Sequence, residues 1–273
     1  MRIEHIGNAT LYLADCMDIM RDMPDKAFDI AIVDPPYGDC GGGQWENRKR
    51  SRFGGHFDKY SIGESTTPTA DTLRAIPPPQ RTGGTWAKKY QVEGGFFSQD
   101  IRHWDIAPPK EYFDELFRVS KHQVIWGGNY FALPPSRNFL IWRKLTISES
   151  FSMAMAEYAW TSFPGNAKVF ECAPQDPTRF HPTQKPVALY RWILSMFAMP
   201  GDNILDTHFG SGSCIVACAE LGYKATGCEI NQEYFDKAII RIAEAYSQPR
   251  LFDDLEDDKS DPVEQELGLE EGV

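Results

Sequence analysis

The chain contains no apolar run approaching the roughly 20 residues needed to cross a bilayer as a helix. Met1-Arg2-Ile3-Glu4-His5 also lacks the charged-then-apolar pattern of a secretory leader. A cytoplasmic protein with no membrane partner is therefore the expectation. The six cysteines, Cys16, Cys40, Cys172, Cys214, Cys218 and Cys228, include no Cys-x-x-Cys pair. That spacing argues against a zinc ribbon or a dithiol redox centre, so reduced thiols and no metal are expected. Positive charge is in deficit, with a net charge of −11. The deficit is local: residues 251–273 hold ten acidic residues and one lysine, which leaves only −2 on the first 250. A polyanionic partner is thus not excluded by charge.

What is present is ordinary for a globular protein: 42% apolar and 25% charged residues over 273 positions. One catalytic-sized domain over 1–250 is expected, followed by an acidic, disordered tail at 251–273. Strand patterns fall at 9–15, 28–33, 122–126, 139–142, 152–160, 203–206 and 225–229. Helical patterns fall at 16–22, 108–119, 186–198, 213–220 and 231–246, and 161–180 reads as turns. Strands alternating with helices indicate an α/β protein with a largely parallel sheet.

Residues 38–100 break this rhythm. They contain Gly41-Gly42-Gly43, Gly54-Gly55, Pro77-Pro78-Pro79, Gly83-Gly84 and Gly94-Gly95. A stretch this long without periodicity inside a domain is either functional or a surface insertion. Its strongest basic cluster, Arg48, Lys49, Arg50 and Arg52, lies among Trp45, Phe53, His56, Phe57 and Tyr60, and Lys88-Lys89 is a separate basic pair. Basic residues interleaved with aromatics suit nucleic-acid contacts. Arg137, Arg143 and Lys144 form a further basic group; ordinary solvated charge is the alternative for each.

Two constellations carry chemistry. Asp34-Pro35-Pro36-Tyr37 follows directly on the apolar strand Phe28–Val33. It places a carboxylate, two rigid backbone units and an aromatic ring at a strand mouth, where a flat, amine-bearing base could be held. The prolines end the strand. Later, Asp206-Thr207-His208-Phe209-Gly210-Ser211-Gly212-Ser213 joins a strand to a helix, and Glu229 ends the next strand. A Gly-rich turn lets a ligand approach the backbone, and an acid about twenty residues on suits a ribose diol. Dinucleotide enzymes share that layout, so this turn alone does not name a cofactor.

Together the motifs resemble the DNA amino-methyltransferases that use S-adenosylmethionine, the group modifying adenine N6 or cytosine N4. Asp34–Tyr37 is similar to their catalytic motif, and Phe209–Ser213 to their Phe-x-Gly-x-Gly cofactor motif. His181-Pro182-Thr183-Gln184-Lys185-Pro186 is similar to a segment preceding that motif in bacterial members. Leu140–Lys144 and Ala156–Tyr158 resemble family strands, so the likeness covers most of 9–37 and 101–243. The catalytic motif precedes the cofactor motif, as in the permuted, beta-type subgroup.

The resemblance implies a Rossmann-like class I methyltransferase fold with a mostly parallel seven-stranded sheet in circularly permuted order. Strand 203–206 would be first, the Glu229 strand second, and 10–15 and 28–33 third and fourth. It implies Asp34, Pro35, Pro36 and Tyr37 as catalytic residues. Asp15, Cys16, Asp34, Thr183, Gln184, Lys185, Asp206, Phe209, Gly210, Ser211, Gly212, Glu229 and Ile230 would bind S-adenosylmethionine. His208 stands where the family often has Pro or Cys. Asp as the first catalytic residue implies adenine over cytosine, where Ser is common. DNA is the implied partner, with a second copy of the chain and a restriction endonuclease as further partners known in such bacterial or phage systems. Relatives carry a target-recognition region between the strand like 152–160 and the His181 segment. Only 161–180 is available here, so either recognition has moved into 38–100 or sequence specificity is weak. An RNA or protein methyltransferase and a non-catalytic nucleic-acid-binding subunit are the competing readings.

Overall fold

A computed structural model describes residues 1–38, 106–148, 154–174 and 176–248. The expected insertion beyond Gly38, the acidic tail and the first residues of the strand at 152–160 lie outside the described residues. The strands are β1 (Arg2–Ile6), β2 (Ala9–Leu13), β3 (Phe28–Val33), β4 (Ser120–Trp126), β5 (Phe139–Lys144), β6 (Ala156–Thr161), β7 (Lys168–Cys172), β8 (Asn203–Asp206) and β9 (Lys224–Glu229). The helices are α1 (Cys16–Asp22), α2 (Lys110–Val119), α3 (Val187–Phe197), α4 (Ser213–Leu221) and α5 (Gln232–Ser247).

The nine strands of the described residues form one sheet in the order β1-β2-β9-β8-β3-β4-β6-β5-β7. The seven expected strands are its middle, β2 to β5, and β2, β9, β8, β3 and β4 run parallel. Two strands were not expected. β1 is an antiparallel hairpin partner of β2. β7 lies in the stretch 161–180 read as turns and pairs parallel with β5. Both are edge strands with mixed exposure, and a sheet edge lacks the apolar run that marks a buried strand.

The central strand β3 reads Phe-Asp-Ile-Ala-Ile-Val because both its faces are covered. On one face Ile30 and Ile32 join a core with Leu189, Ile193, Ile215, Phe235 and Ile242 from α3, α4 and α5. On the other, Ala31 and Val33 join Met20, Tyr112, Phe113 and Leu116 from α1 and α2. Each such large apolar side chain contributes about 1.5–3 kcal/mol on burial. Helix α4 is buried from Ser213 through Ala219; its Ser, Cys and Ala residues let α3 and α5 pack close on either side.

The chain order places the motifs. After β3 the chain crosses to β4 on one side; after β8 it crosses to β9 on the other. These adjacent strands pair through Ile30 with Ile204 and Ala31 with Leu205. Their carboxyl ends form the switch point where open α/β sheets bind ligands. Asp34–Tyr37 leaves one strand there and Asp206–Gly212 leaves the other. Leu13 pairs with Glu229 next door, so Asp15 emerges at the same edge.

Candidate active site

Four elements deliver charged side chains to this edge. Asp34 follows β3. Lys185 precedes α3, with only 3% of its side chain exposed. Glu157 lies near the start of β6, and because β6 runs antiparallel to β4 its start lies at β4's carboxyl end. Lys144 ends β5, which is antiparallel to β6.

Their side chains alternate in sign. Lys185 Nζ donates to Asp34 Oδ2 and lies 3.1 Å from Glu157 Oε2. Glu157 Oε1 is 2.5 Å from Lys144 Nζ. Burial pushes the Glu157 carboxyl up, but Lys185 and Lys144 overcome it and hold it at about 2. Burial likewise opposes charge on Lys185, and Asp34 and Glu157 overcome it, so its pKa is raised.

Tyr37 completes the group. Its hydroxyl donates to Asp34 Oδ1 at 2.7 Å. Its ring stacks on Tyr130, with centroids 4.9 Å apart, and lies against Gly127. A Cβ on Gly127 would sit 2.1 Å from Tyr37 Cε1. Gly127 has φ 68°, a left-handed conformation that favours glycine. Burial, then Asp34 and Glu157, raise the phenol well above its usual range, so it is a donor at neutral pH.

The Gly-rich turn after β8 is held from both sides. Gly210 N–H donates to Glu229 Oε2 at 3.0 Å, and Asn231 N–H to Glu229 Oε1 at 2.8 Å. Gly212 caps α4 at φ 75°, and a Cβ there would meet Ile242 Cδ1 at 2.9 Å. The Phe209 ring packs over Gly227 and beside Phe235, so its ring anchors the turn in the core. Ser211 lends its carbonyl to Arg241 at 2.9 Å.

Asp206 is buried, and its carboxylate accepts the His208 N–H at 3.2 Å. Desolvation raises its pKa to about 8, with Asp34 and Glu229 adding to the rise and His208 N–H and Lys185 opposing it. The loop histidine, His208, is held by Thr207 Oγ1 at 2.9 Å and lies 4.0 Å from Cys16 Sγ. Desolvation lowers it to about 4, so it is neutral at pH 7. His181 is also lowered to about 4 by burial, then by Lys185 and Arg179.

The remaining expected residues fall as follows. Asp15 caps α1 through Met17 N–H at 2.8 Å, and Cys16 is buried beside it. Thr183 is exposed beside His181, its hydroxyl 3.2 Å from Nδ1. Gln184 is buried and donates to Asp176 at 2.9 Å. Ile230 is 67% exposed just after Glu229.

The basic group Arg137, Arg143 and Lys144 is corrected. Arg137 precedes β5 and the other two end it, so they sit about 20 Å apart along the strand. Lys144 is buried against Glu157 and Arg143 pairs with Glu171 at 2.5 Å. Lys144 belongs to the interior charge chain and not to a DNA-facing surface. Arg48, Lys49, Arg50, Arg52, Lys88 and Lys89 lie outside the described residues. Glu157, Tyr130 and Gly127 were not foreseen as parts of the site. The signal available for Glu157 was an acid in a strand pattern otherwise rich in Ala and aromatic residues.

Residues 125–241 match the family model of the DNA methylases, N6_N4_Mtase. Over that span the chain is similar to the DNA methylases. The matched span takes in Glu157, Lys185 and Asp206; Asp34 precedes it and is tied to it by the β3–β8 pairing. The chain is 24% identical over 252 residues to type II methyltransferase M2.MboI of Moraxella bovis, covering 84% of this chain and 85% of that protein. It is 36% identical over 90 residues to type II methyltransferase M.HpaI of Haemophilus parainfluenzae, spanning 30% of this chain and 28% of that protein. Among solved structures, the M1.HpyAVI–SAM complex is similar at 20% identity, 85% and 99% coverage, and a TM-score of 0.42. The cytosine-N4-specific PvuII DNA methyltransferase is similar at 11% identity, 88% and 92% coverage, and a TM-score of 0.47.

Proposed function

We propose that the protein transfers the methyl group of S-adenosylmethionine to adenine N6 in DNA, with the target base extruded into the pocket at Asp34–Tyr37. The observation that carries this reading is the placement of Asp34 and the Gly-rich turn at the carboxyl ends of the paired strands β3 and β8.

The residues fit the cofactor's chemistry. S-adenosylmethionine is a sulfonium with an ammonium group, and Asp34 and Glu229 put negative potential at this edge, which helps hold the Asp206 proton. A cation beside Asp206 would favour its ionised form. Glu229 already orders Gly210 and retains free lone pairs for ribose hydroxyls. Asp15, Cys16 and the exposed Ile230 flank the adenine side in this reading. Thr183, Gln184 and Lys185, with the backbone of Phe209–Gly212, flank the amino-acid end. When bound, the cofactor supplies the electrophilic methyl group.

The rest is positioning by the chain. The adenine amine is a weak nucleophile because its lone pair is delocalised into the ring. Asp34 accepts one of its N–H groups and the Pro35 carbonyl the other, which favours a pyramidal nitrogen. Each Asp34 oxygen accepts one hydrogen bond in the structure and has a second lone pair for this purpose. Its negative charge stands where positive charge develops on the nitrogen. Tyr37 stacks on the base, which must leave the helical stack to arrive. The methylated amine then releases its proton, so no strong base is required.

Adenine is preferred because the first catalytic residue is Asp. Target recognition is assigned to 38–100, since β7 takes five of the residues of 161–180 otherwise available for it. Single-molecule methylation mapping after expression in a host lacking its own adenine methylation tests the assignment. N6-methyladenine in a defined context, abolished by Asp34→Ala, is expected. N4-methylcytosine would move the reading to the other base, and methylation of RNA or protein alone would overturn it. Deleting about residues 44–95 should weaken DNA affinity and site selection; unchanged values would sink the recognition assignment.

A further inference from the structure

The Asp34 carboxylate is one end of a four-member chain of alternating charge, Asp34–Lys185–Glu157–Lys144. Lys185 faces two carboxylates at once, and Glu157 faces two ammonium groups. Lys144 and Lys185 have only 7% and 3% of their side chains exposed, so water does little to screen them. A lone ammonium on Asp34 would draw off the negative charge needed at the developing cation on the base nitrogen. Glu157 counters that ammonium from its other side.

We propose that Glu157 is a positioning residue for methyl transfer, dividing the charge of Lys185 so that Asp34 keeps its strength as the acceptor of the base amine. It rests on the assignment of Asp34 above. Glu157 acts through Lys185 and touches neither base nor cofactor in this role. Lys144 keeps Glu157 ionised and in place.

The test compares Glu157→Gln with the paired variant Lys144→Met/Glu157→Gln in steady-state methylation of a DNA duplex carrying the mapped site, with a single-turnover control that the chemical step limits kcat. Glu157→Gln keeps the shape and removes the charge. Its kcat should fall roughly tenfold, less than the ~10²–10³ lost with a group that stabilises the transition state directly. KM for DNA, and Kd for S-adenosylmethionine by calorimetry, should stay within about twofold. Lys144, left unpaired by the single change, should lower thermal stability, and the paired variant should recover that stability without recovering kcat. Glu157→Asp, which restores the charge, should recover part of kcat.

A kcat for Glu157→Gln within about twofold of the wild type would overturn the proposal. So would recovery of both stability and kcat in the paired variant, which would make Glu157 a structural partner of Lys144 alone. If Glu157→Gln does not fold, the paired variant carries the measurement, and failure of both to fold also overturns it. A wild-type protein that methylates no DNA would instead overturn the function itself, a separate and recognisable outcome.

Discussion

Gly127→Ala is the sharpest structural test of the pocket, because one added carbon strikes the residue proposed to stack on the base. The new Cβ would lie 2.1, 2.6 and 2.7 Å from Tyr37 Cε1, Cδ1 and Cζ. The ring cannot simply retreat, since Tyr130 stacks on it at 4.9 Å and its hydroxyl is held by Asp34. Two costs add. An L-residue in a left-handed conformation costs roughly 1–2 kcal/mol, and overpacking typically costs about 1–3 kcal/mol. A total of about 2–5 kcal/mol is expected, a drop in Tm of very roughly 5–15 °C for a chain of this size. The two parts separate in a double-mutant cycle measured by urea unfolding. In a Tyr37→Ala background the clash is gone and only the backbone strain should remain, so the cost of Gly127→Ala should fall by about 1–3 kcal/mol. Strict additivity would refute the claim that Gly127 exists to seat Tyr37. Methylation by Gly127→Ala should also fall to near that of Tyr37→Ala, with cofactor affinity retained.

Lys185→Met removes the cation shared by Asp34 and Glu157 and should destabilise by about 3 kcal/mol, as expected for breaking a largely buried pair; a change below about 1 kcal/mol in urea unfolding would contradict it. Asp206 holds its proton to about pH 8 when folded, against 3.8 unfolded, so its contribution is complete below pH 3.8 and is lost as pH rises toward 8. Asp206→Asn should therefore be more stable than the wild type at pH 8, by on the order of 2 kcal/mol or more, while losing affinity for S-adenosylmethionine; equal stability at pH 5 and pH 8 relative to the wild type would contradict this. His181 and His208 are depressed from 6.5 to about 4, so their contribution is present above pH 6.5 and is lost as pH falls toward 4. Each can account for at most about 3 kcal/mol, and the His181→Gln/His208→Gln pair should flatten the acid limb of the stability profile measured by urea unfolding.

The fold was legible where burial dictates composition. β3, with its unbroken Phe28–Val33 run, and the Gly-rich turn between β8 and α4 were both readable, and their order along the chain was enough to infer the permutation. The edge strands were not. Lys168–Cys172 reads Lys-Val-Phe-Glu-Cys with Val169 60% exposed, and its pairing with β5 is a tertiary fact without a periodic signature. The same divide runs through the site. Asp34 and Asp206 announce themselves by their neighbours in sequence, whereas Glu157 is recruited from a strand whose antiparallel direction alone brings its start to the carboxyl edge of the sheet. Lys144 shows the converse failure: adjacent to Arg143 it reads as surface charge, yet alternation along β5 turns the one inward and the other to solvent.

That inward turn bears on why the charge chain exists at all. Removing a carboxylate or an ammonium from water costs several kcal/mol, and well-packed apolar residues in place of a buried ion pair are often equally or more stable. Lys144 and Glu157 could be such residues if their only task were to close the space between β5, β6 and α3. Stability alone therefore does not explain the two inner charges. They do solve an electrostatic problem set by Lys185, whose ammonium holds Asp34 in place and would by itself quench it. An acid behind the lysine restores the field at Asp34, and a second base behind the acid keeps that acid ionised against a burial that pushes it the other way. On this account Glu157 and Lys144 should be replaceable together at little cost in stability and at a clear cost in kcat, which is the opposite of what a structural salt bridge predicts.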